Sequence, residues 1–270
     1  MMENEKQLTG REKASYGLGA VGKDMVYMLS ASYILYYFQD IMGVSAAAMG
    51  LILLAARVFD AFNDPIMGVI VAKTRTRWGR FRPWMFFGTL TNAIVLYLMF
   101  SAPPSLDAGG MIAYAAISYV LWGVTYTMMD IPFWSLIPAI TGPGKERETL
   151  TVIGRTCAGL GNALITVGTA MAVIILGKGN ERIGFERVAL LVSVLFLIAE
   201  WILIKTLPKQ ENHTAVETTS VKEMIRSLFH NDQAMVVVVS IILINCALYA
   251  TSNLLIYFFK FWRARRGSNP

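Results

Sequence analysis

Four polar residues interrupt a long apolar stretch near residues 44–72. They are Arg57, Asp60, Asn63 and Asp64. At about 100° per residue, all four fall within an arc of about 120° on one face of an α-helix. Two carboxylates and an amide, about one turn apart, supply the hard oxygen ligands that small cations prefer. The alternative is a structural ion pair of Arg57 with one aspartate, which would explain one acid only. The pattern favours a site where Asp60 and Asp64 bind a small cation.

A second polar group lies in the apolar stretch near residues 111–139. Tyr126, Asp130 and Trp134 recur every fourth residue, so they share one helix face. A carboxylate accepts hydrogen bonds from sugar hydroxyls, and an aromatic ring can pack against the C–H side of a sugar. An aromatic stripe in a membrane helix is otherwise a packing feature. An ionisable residue inside a span costs about 2.5–3.5 kcal/mol on insertion scales and is a functional candidate. The aspartate therefore favours a sugar site.

Two further apolar stretches carry charged residues. Lys23 and Asp24 lie within residues 15–39, and Arg155 lies near the start of residues 151–176. Asp24 and Arg155 could hold sugar hydroxyls from two sides through charge-assisted hydrogen bonds. The alternative for Arg155 is that its long side chain extends to the membrane surface and has no ligand.

These polar residues require helices long enough to cross a membrane. Hydrophobic residues make up 55% of the 270-residue chain, and charged residues make up 16%, against about 25% in soluble domains. A spanning helix needs about 20 mostly apolar residues, and such runs are too continuous for barrel strands. The sequence predicts an all-α membrane protein. Seven spans are predicted, near residues 15–39, 44–72, 84–102, 111–139, 151–176, 186–206 and 234–259.

The distribution of basic residues predicts the orientation of these spans. Lys and Arg are concentrated before the first span and after the second, fourth and sixth, whereas the first and third connections have none. By the positive-inside rule, the N-terminus is cytoplasmic. The net charge of +6 is then a topological signal and not a nucleic-acid one. The predicted organisation is a cytoplasmic N-terminus (1–14), a six-helix transmembrane domain (15–206), a cytoplasmic interdomain linker (207–233), the first helix of an incomplete second domain (234–259) and a basic tail (260–270).

One glycine motif has two interpretations. Residues 17–22 fit the dinucleotide-binding pattern G-x-G-x-x-G. That pattern needs a preceding strand, whereas these glycines open a membrane helix. Small residues at this spacing instead favour close packing between helices.

Four segments resemble the glycoside–pentoside–hexuronide:cation symporters of the major facilitator superfamily, and in particular their melibiose permease-like members. The segments are GAVGKD at 19–24, RVFDAFNDPIMG at 57–68, RTRWGRFRPW at 75–84 and WGVTYTMMDIPFWSLIP at 122–138. The resemblance extends from about residue 15 to residue 259. It implies the N-terminal six-helix bundle of that superfamily plus a seventh span, with ligand sites near the midplane between two halves.

The resemblance also implies roles for individual residues. The cation site would be formed by Asp60, Asn63, Asp64 and Thr127. The sugar site would be formed by Lys23, Asp24, Tyr126, Asp130, Trp134 and Arg155. A basic loop that helps to hold the inward gate would contain Arg75, Arg77, Arg80 and Arg82.

The implied activity is symport of Na⁺, Li⁺ or H⁺ with a galactoside such as melibiose, or with another glycoside or a hexuronide. The implied ligands are a sugar, a monovalent cation and membrane lipid. No cofactor, nucleic acid or obligate protein partner is implied. A membrane-embedded enzyme is a weaker alternative, because the two histidines, His213 and His230, both lie in the predicted linker.

The end of the chain departs from the resemblance. The predicted topology places the basic tail, residues 260–270, on the outside, against the positive-inside rule. Five further spans and the facing half of the cavity are missing relative to the family. We therefore expect a truncated product that is inactive alone. The alternative is a half-transporter that pairs with a second chain.

Overall fold

The computed structural model describes residues 8–207, 226, 230–244 and 246–247. These residues form helices joined by short connections, with no strand among them. The chain divides into two compact units, Met1–Thr218 and Thr219–Pro270. The described part of the first unit contains six long helices, and that of the second contains a helix over Asp232–Ile244. The prediction of an all-α fold is confirmed.

The six helices of the first unit correspond to the first six predicted spans. They are α1 (Gly10–Tyr36), α2 (Ala46–Lys73), α3 (Arg82–Met99), α4 (Ala108–Ile140), α5 (Lys145–Gly177) and α6 (Glu181–Thr206). A π-helical turn over Tyr37–Ile41 extends α1. Most helices begin a few residues before the predicted span, because polar caps lie outside the apolar stretch. Thr9 and Glu12 form a capping box at α1, and Asp107 accepts a hydrogen bond from the Gly110 backbone at α4.

Four of the described helices are long and apolar enough to cross a membrane, namely α2, α4, α5 and α6. Helix α1 is long, but it carries Lys23 and Asp24 in its middle. The described helix Asp232–Ile244 covers only the start of the predicted seventh span, and residues 245 and 248–259 lie outside the described residues. Most of the predicted linker and the whole predicted tail also lie outside them. The domain boundaries at both ends therefore stay predictions.

Helix α1 packs mainly against α5 and α6, whereas α3 packs against α4 and α6. Glycines make the close approaches of α1 possible. A Cβ at Gly17 would lie 2.9 Å from Sγ of Cys157 on α5, and a Cβ at Gly22 would lie 2.8 Å from Cβ of Ala199 on α6. The G-x-G-x-x-G pattern thus lies inside a helix and serves helix packing, as predicted.

Helices α1 and α4 face each other at a larger separation, which side chains bridge. Their backbones approach less closely than those of α1 and its neighbours α5 and α6. The rings of Tyr16 and Phe133 stack with centroids 4.6 Å apart, and the Tyr16 hydroxyl donates to the Phe133 carbonyl over 3.2 Å. About two turns further along α1, at Lys23, the bridge becomes polar, and this position holds the candidate site.

Candidate functional site

Lys23 is the centre of a buried polar cluster between α1 and α4. Only 2% of its surface is exposed. Its Nζ lies 2.9 Å from Oδ2 of Asp24 and 2.7 Å from Oδ1 of Asp130, and it donates to the Tyr126 hydroxyl over 3.2 Å. A buried ammonium group is stable only when it is paired and hydrogen-bonded. Two carboxylates and a phenol hydroxyl meet that requirement.

Trp134 joins this cluster to α5. Its Nε1 donates to Oδ1 of Asp130 over 3.1 Å. Lys23 Nζ lies 5.0 Å from the Trp134 ring centroid, and Cζ of Arg155 lies 4.3 Å from it. Both distances are within the range of cation–π contacts. The structure therefore brings the predicted sugar-site residues into one connected set, with Arg155 at its exposed edge.

One acceptor in the cluster has hydrogen-bonding capacity left. Asp24 Oδ2 is buried and close to Lys23 Nζ, but it accepts no hydrogen bond from the described residues, so its contact is an ion pair only. A carboxylate oxygen accepts two or more hydrogen bonds. Asp24 can therefore accept a hydrogen bond from a ligand hydroxyl without releasing Lys23.

The second predicted group lies on α2, where it faces α4. Thr127 Oγ1 donates to Oδ1 of Asp64 over 2.9 Å. Arg57 Nη1 lies 3.5 Å from Oδ2 of Asp60, so the predicted alternative of an Arg57 ion pair is present for one acid. Asn63 Nδ2 is buried and has no hydrogen-bond partner among the described residues.

These α2 side chains form a looser group than the Lys23 cluster. Asp60 and Asp64 are within electrostatic range of each other. Asp64 is an exposed residue, and the Arg57 and Asp60 side chains are 58% and 27% exposed. Two carboxylate groups, the Thr127 hydroxyl and the Asn63 amide are oxygen donors of the kind that alkali cations bind.

The two groups adjoin through α4. Tyr126 contacts the Lys23 cluster, and the next residue, Thr127, contacts Asp64 on α2. Asp64 is also within electrostatic range of Asp130. A change of charge at one group therefore acts on the other over a short path.

The four arginines of the predicted gate loop differ in exposure. Arg75 and Arg77 are exposed. Arg80 Cζ lies 5.8 Å from the Phe81 ring centroid, and Arg82 Nη2 donates to the Leu207 carbonyl over 2.7 Å. Their role in gating stays a prediction.

One buried acid beside the cluster was missed in the sequence analysis. Glu200 on α6 is fully buried, and neither of its carboxylate oxygens has a hydrogen-bond partner among the described residues. Its Oε1 lies 3.3 Å from the position that a Cβ of Gly19 would occupy. It is within electrostatic range of Lys23 and Asp130. The signal was available, because Glu200 is the only ionisable residue in the apolar stretch 188–204.

Comparisons with known proteins show the family of this chain. The sequence profile of the MFS/sugar transport protein family matches residues 15–267. The chain is 35% identical to the inner membrane symporter YicJ of Escherichia coli K12, over 85% of this chain and 50% of that protein. It is 30% identical to the putative glycoside/cation symporter YagG of the same organism, over 94% of this chain and 55% of that protein. It is 29% identical to a lactose permease of Leuconostoc lactis, over 93% of this chain and 42% of that protein.

The chain spans about half the length of the curated relatives it matches. Those relatives are transporters and not enzymes, as the sequence analysis expected. The apolar helices and the profile match also confirm a multi-pass membrane protein of the predicted superfamily. Because the profile covers nearly the whole chain, the protein belongs to the MFS/sugar transport protein family.

Proposed function

We propose that the Lys23 cluster binds a glycoside and that the α2 group binds the monovalent cation that is transported with it. The observation that carries this proposal is the buried lysine bridging Asp24 and Asp130, with Trp134 hydrogen-bonded to Asp130. A structural ion pair does not need an adjoining tryptophan ring or an unfilled acceptor, whereas a sugar site can use both, the ring for its C–H face and the acceptor for a hydroxyl.

The proposed sugar contacts follow from the chemistry of each side chain. Asp24 accepts from a sugar hydroxyl at its unfilled Oδ2. The Trp134 ring offers an apolar face, while its Nε1 holds Asp130 in place. Arg155, exposed and stacked on Trp134, donates to oxygens at the edge of the site. Lys23 orients the two carboxylates before the sugar arrives.

The proposed cation is Na⁺, Li⁺ or H⁺, bound by Asp60, Asp64, Asn63 and Thr127. The α2 group has two aspartates and one arginine, so its formal charge is −1. A bound monovalent cation would balance that charge. Because Tyr126 and Thr127 are adjacent on α4, cation binding would orient the helix that also presents Asp130 to the sugar.

The proposed substrate is a galactoside such as melibiose. Two of the relatives are described as a glycoside/cation symporter and a lactose permease, which supports a glycoside. A hexuronide is the second candidate, because Arg155 offers its carboxylate a bidentate partner. The proposed location is the inner membrane, with a cytoplasmic N-terminus. The expected inactivity of this chain alone also stays a prediction.

The test is equilibrium binding of radiolabelled melibiose to the purified protein in lipid nanodiscs, with Na⁺ or with choline. We expect Na⁺ to raise the affinity. Asp130→Asn should lose sugar binding, whereas Asp60→Asn and Asp64→Asn should keep the affinity seen in choline and lose the response to Na⁺.

The matched control is Asp40→Asn, which removes an exposed carboxylate outside both groups and should change neither property. If Asp130→Asn binds melibiose and other glycosides as the unmodified protein does, the sugar site is misplaced. If the response to Na⁺ survives in both α2 variants, the cation site is misplaced.

A further inference from the structure

A groove of about 530 Å³ opens between the start of α3 and the end of α6, well away from the two groups described above. The loop before α3 forms its rim. Its walls include three basic residues, Arg77, Arg82 and Lys205, and three aromatic ones, Trp78, Phe86 and Trp201. Its volume is within the range of small-ligand sites, about 300–1,000 Å³.

The charge of the groove is positive and largely uncompensated by described residues. Arg77 and Lys205 are exposed, and no carboxylate in the described part of the chain forms an ion pair with either. Arg82 donates to the Leu207 carbonyl over 2.7 Å, which ties the rim to the end of α6. Three basic side chains in one groove are suited to an anion such as a phosphate group.

The aromatic residues form a continuous wall. The Phe86 ring centroid lies 6.2 Å from that of Trp78 and 5.9 Å from that of Trp201. Lys205 Nζ lies 4.6 Å from the Trp201 centroid. Tryptophan is enriched at the depth of lipid head groups, where its apolar body and polar N–H are both accommodated.

Exposed apolar residues continue from the groove toward the middle of both helices. On α3 they include Leu90 and Ile94, and on α6 they include Val194 and Ile198. A soluble anion would use the basic end of this surface only. A phospholipid would use both parts, with its phosphate in the groove and its acyl chains along the apolar residues.

We propose that this groove is a binding site for the head group of an anionic phospholipid. Arg77, Arg82 and Lys205 contact the phosphate, and Trp78 and Trp201 pack beside the glycerol part. Basic pockets between membrane helices on the cytoplasmic side bind lipid head groups in this manner. The site is independent of the sugar and cation sites, since it shares no residue with either.

The test measures which lipids stay bound to the purified protein by native mass spectrometry. The protein is equilibrated in detergent with equal amounts of phosphatidylglycerol and phosphatidylcholine. We expect preferential retention of phosphatidylglycerol. In the double variant Arg77→Gln with Lys205→Gln, the ratio of retained phosphatidylglycerol to phosphatidylcholine should fall by roughly tenfold. Each basic residue removed should contribute a factor of about five or less. Lys205→Gln alone should give an intermediate value.

The control double variant is Lys73→Gln with Lys178→Gln, which removes two exposed charges outside the groove and should keep the preference. Equal retention of both lipids by the unmodified protein, or an unchanged preference in the groove variant, would contradict the proposal. A third arm adds inorganic phosphate. Displacement of phosphatidylglycerol by phosphate at concentrations that leave other anionic lipid contacts intact would identify a free-anion site and overturn the lipid assignment.

Discussion

Two regions of this molecule contain the same set of charged residues, two aspartates and one basic residue, in different surroundings. In the Lys23 cluster, the base is 3% exposed at its side chain and contacts both acids within 3 Å. On α2, the side chain of the basic residue Arg57 is 58% exposed, and its Nη1 lies 3.5 Å from Oδ2 of Asp60. The first region is organised before any ligand binds. In the second, the aspartates outnumber the arginine, and carboxylate oxygens are still able to bind a cation.

The packing of the helices explains this difference. Helix α1 lies against α5 and α6 through glycine contacts, and Lys23 on this helix is only 2% exposed. Helix α2 packs mainly against α4, which leaves most of its surface uncovered in the described structure. A charged side chain must be paired with an opposite charge in the first environment, whereas pairing is not required in the second. The following experiments would break or sharpen this comparison.

The largest expected effect is on stability, from Lys23→Met. This change removes the buried cation that Asp24 and Asp130 share, while the side chains of these acids are 13% and 29% exposed. Removing one partner of a fully buried ion pair costs about 3–5 kcal/mol, and the partial exposure of the two acids places the expected loss near the lower end, at about 3 kcal/mol. Denaturant unfolding in micelles, followed by circular dichroism, measures the change. The matched variant Arg57→Met removes the base of the exposed group and should cost about 1 kcal/mol or less. Equal losses of unfolding free energy in the two variants would show that burial of the basic residue does not distinguish the two regions.

The next effect is on sugar affinity, from Asp130→Asn compared with Asp60→Asn. Asp130 accepts from Trp134 and pairs with Lys23, so its charge orders the whole cluster. Hydrogen bonds to charged groups contribute about 1.5–3 kcal/mol, which corresponds to a loss of affinity of about tenfold or more. Isothermal titration with melibiose in choline buffer, where the cation site plays no part, measures it. Asp60→Asn should bind melibiose with the affinity of the unmodified protein. A similar loss of affinity in Asp60→Asn would show that the two regions form one site.

A smaller effect is expected from Trp134→Phe. Phenylalanine keeps an aromatic face but cannot donate to the Asp130 carboxylate. That one hydrogen bond contributes about 1.5–3 kcal/mol, but the ion pair of Asp130 with Lys23 remains, so only part of this energy is lost from sugar binding. Sugar affinity should fall by several-fold, as measured by the same titration. The chain offers a close control in Trp122→Phe. Trp122 stacks on Tyr126, but its Nε1 has no hydrogen-bond partner among the described residues. A larger loss for Trp122→Phe would show that ring area, and not the Asp130 contact, determines binding.

Most of the fold followed from the sequence, because long apolar runs permit few structures in a membrane. The same logic identified Lys23, Asp24 and Asp130, since buried charge in such a run is rare. Geometry between helices was harder to predict. Lys23 and Tyr126 are 103 residues apart, and no periodicity within either helix shows that they touch.

The errors have physical causes as well. Helix caps such as Thr9 are polar, so apolar runs alone placed the start of α1 too late. The π-helical turn at Tyr37–Ile41 depends on tertiary contacts, including the bond from the Ala102 backbone N–H to the Tyr37 hydroxyl. Glu200 was missed because it is the only ionisable residue in the apolar stretch 188–204, whereas the other intramembrane acids lie in recognisable groups. Its significance becomes visible only when α6 is packed beside Gly19.

The smallest expected effect concerns the α2 group in the absence of a cation. Since Asp60 and Asp64 are partly exposed and repel each other, replacing both with asparagine in choline buffer should change the stability by about 0.5 kcal/mol or less. Adding Na⁺ should then reveal a difference in thermal stability between the unmodified protein and the double variant. A cation that binds only the folded state stabilises it in proportion to the logarithm of its concentration. The unmodified protein should therefore show a rising midpoint of thermal unfolding with Na⁺, while the double variant should not. Asp24→Asn, which alters the buried region, should lower the midpoint and keep the response. If Asp24→Asn abolished the response instead, the buried cluster would itself hold the cation, and the contrast between an organised sugar site and an open cation site would have to be reversed.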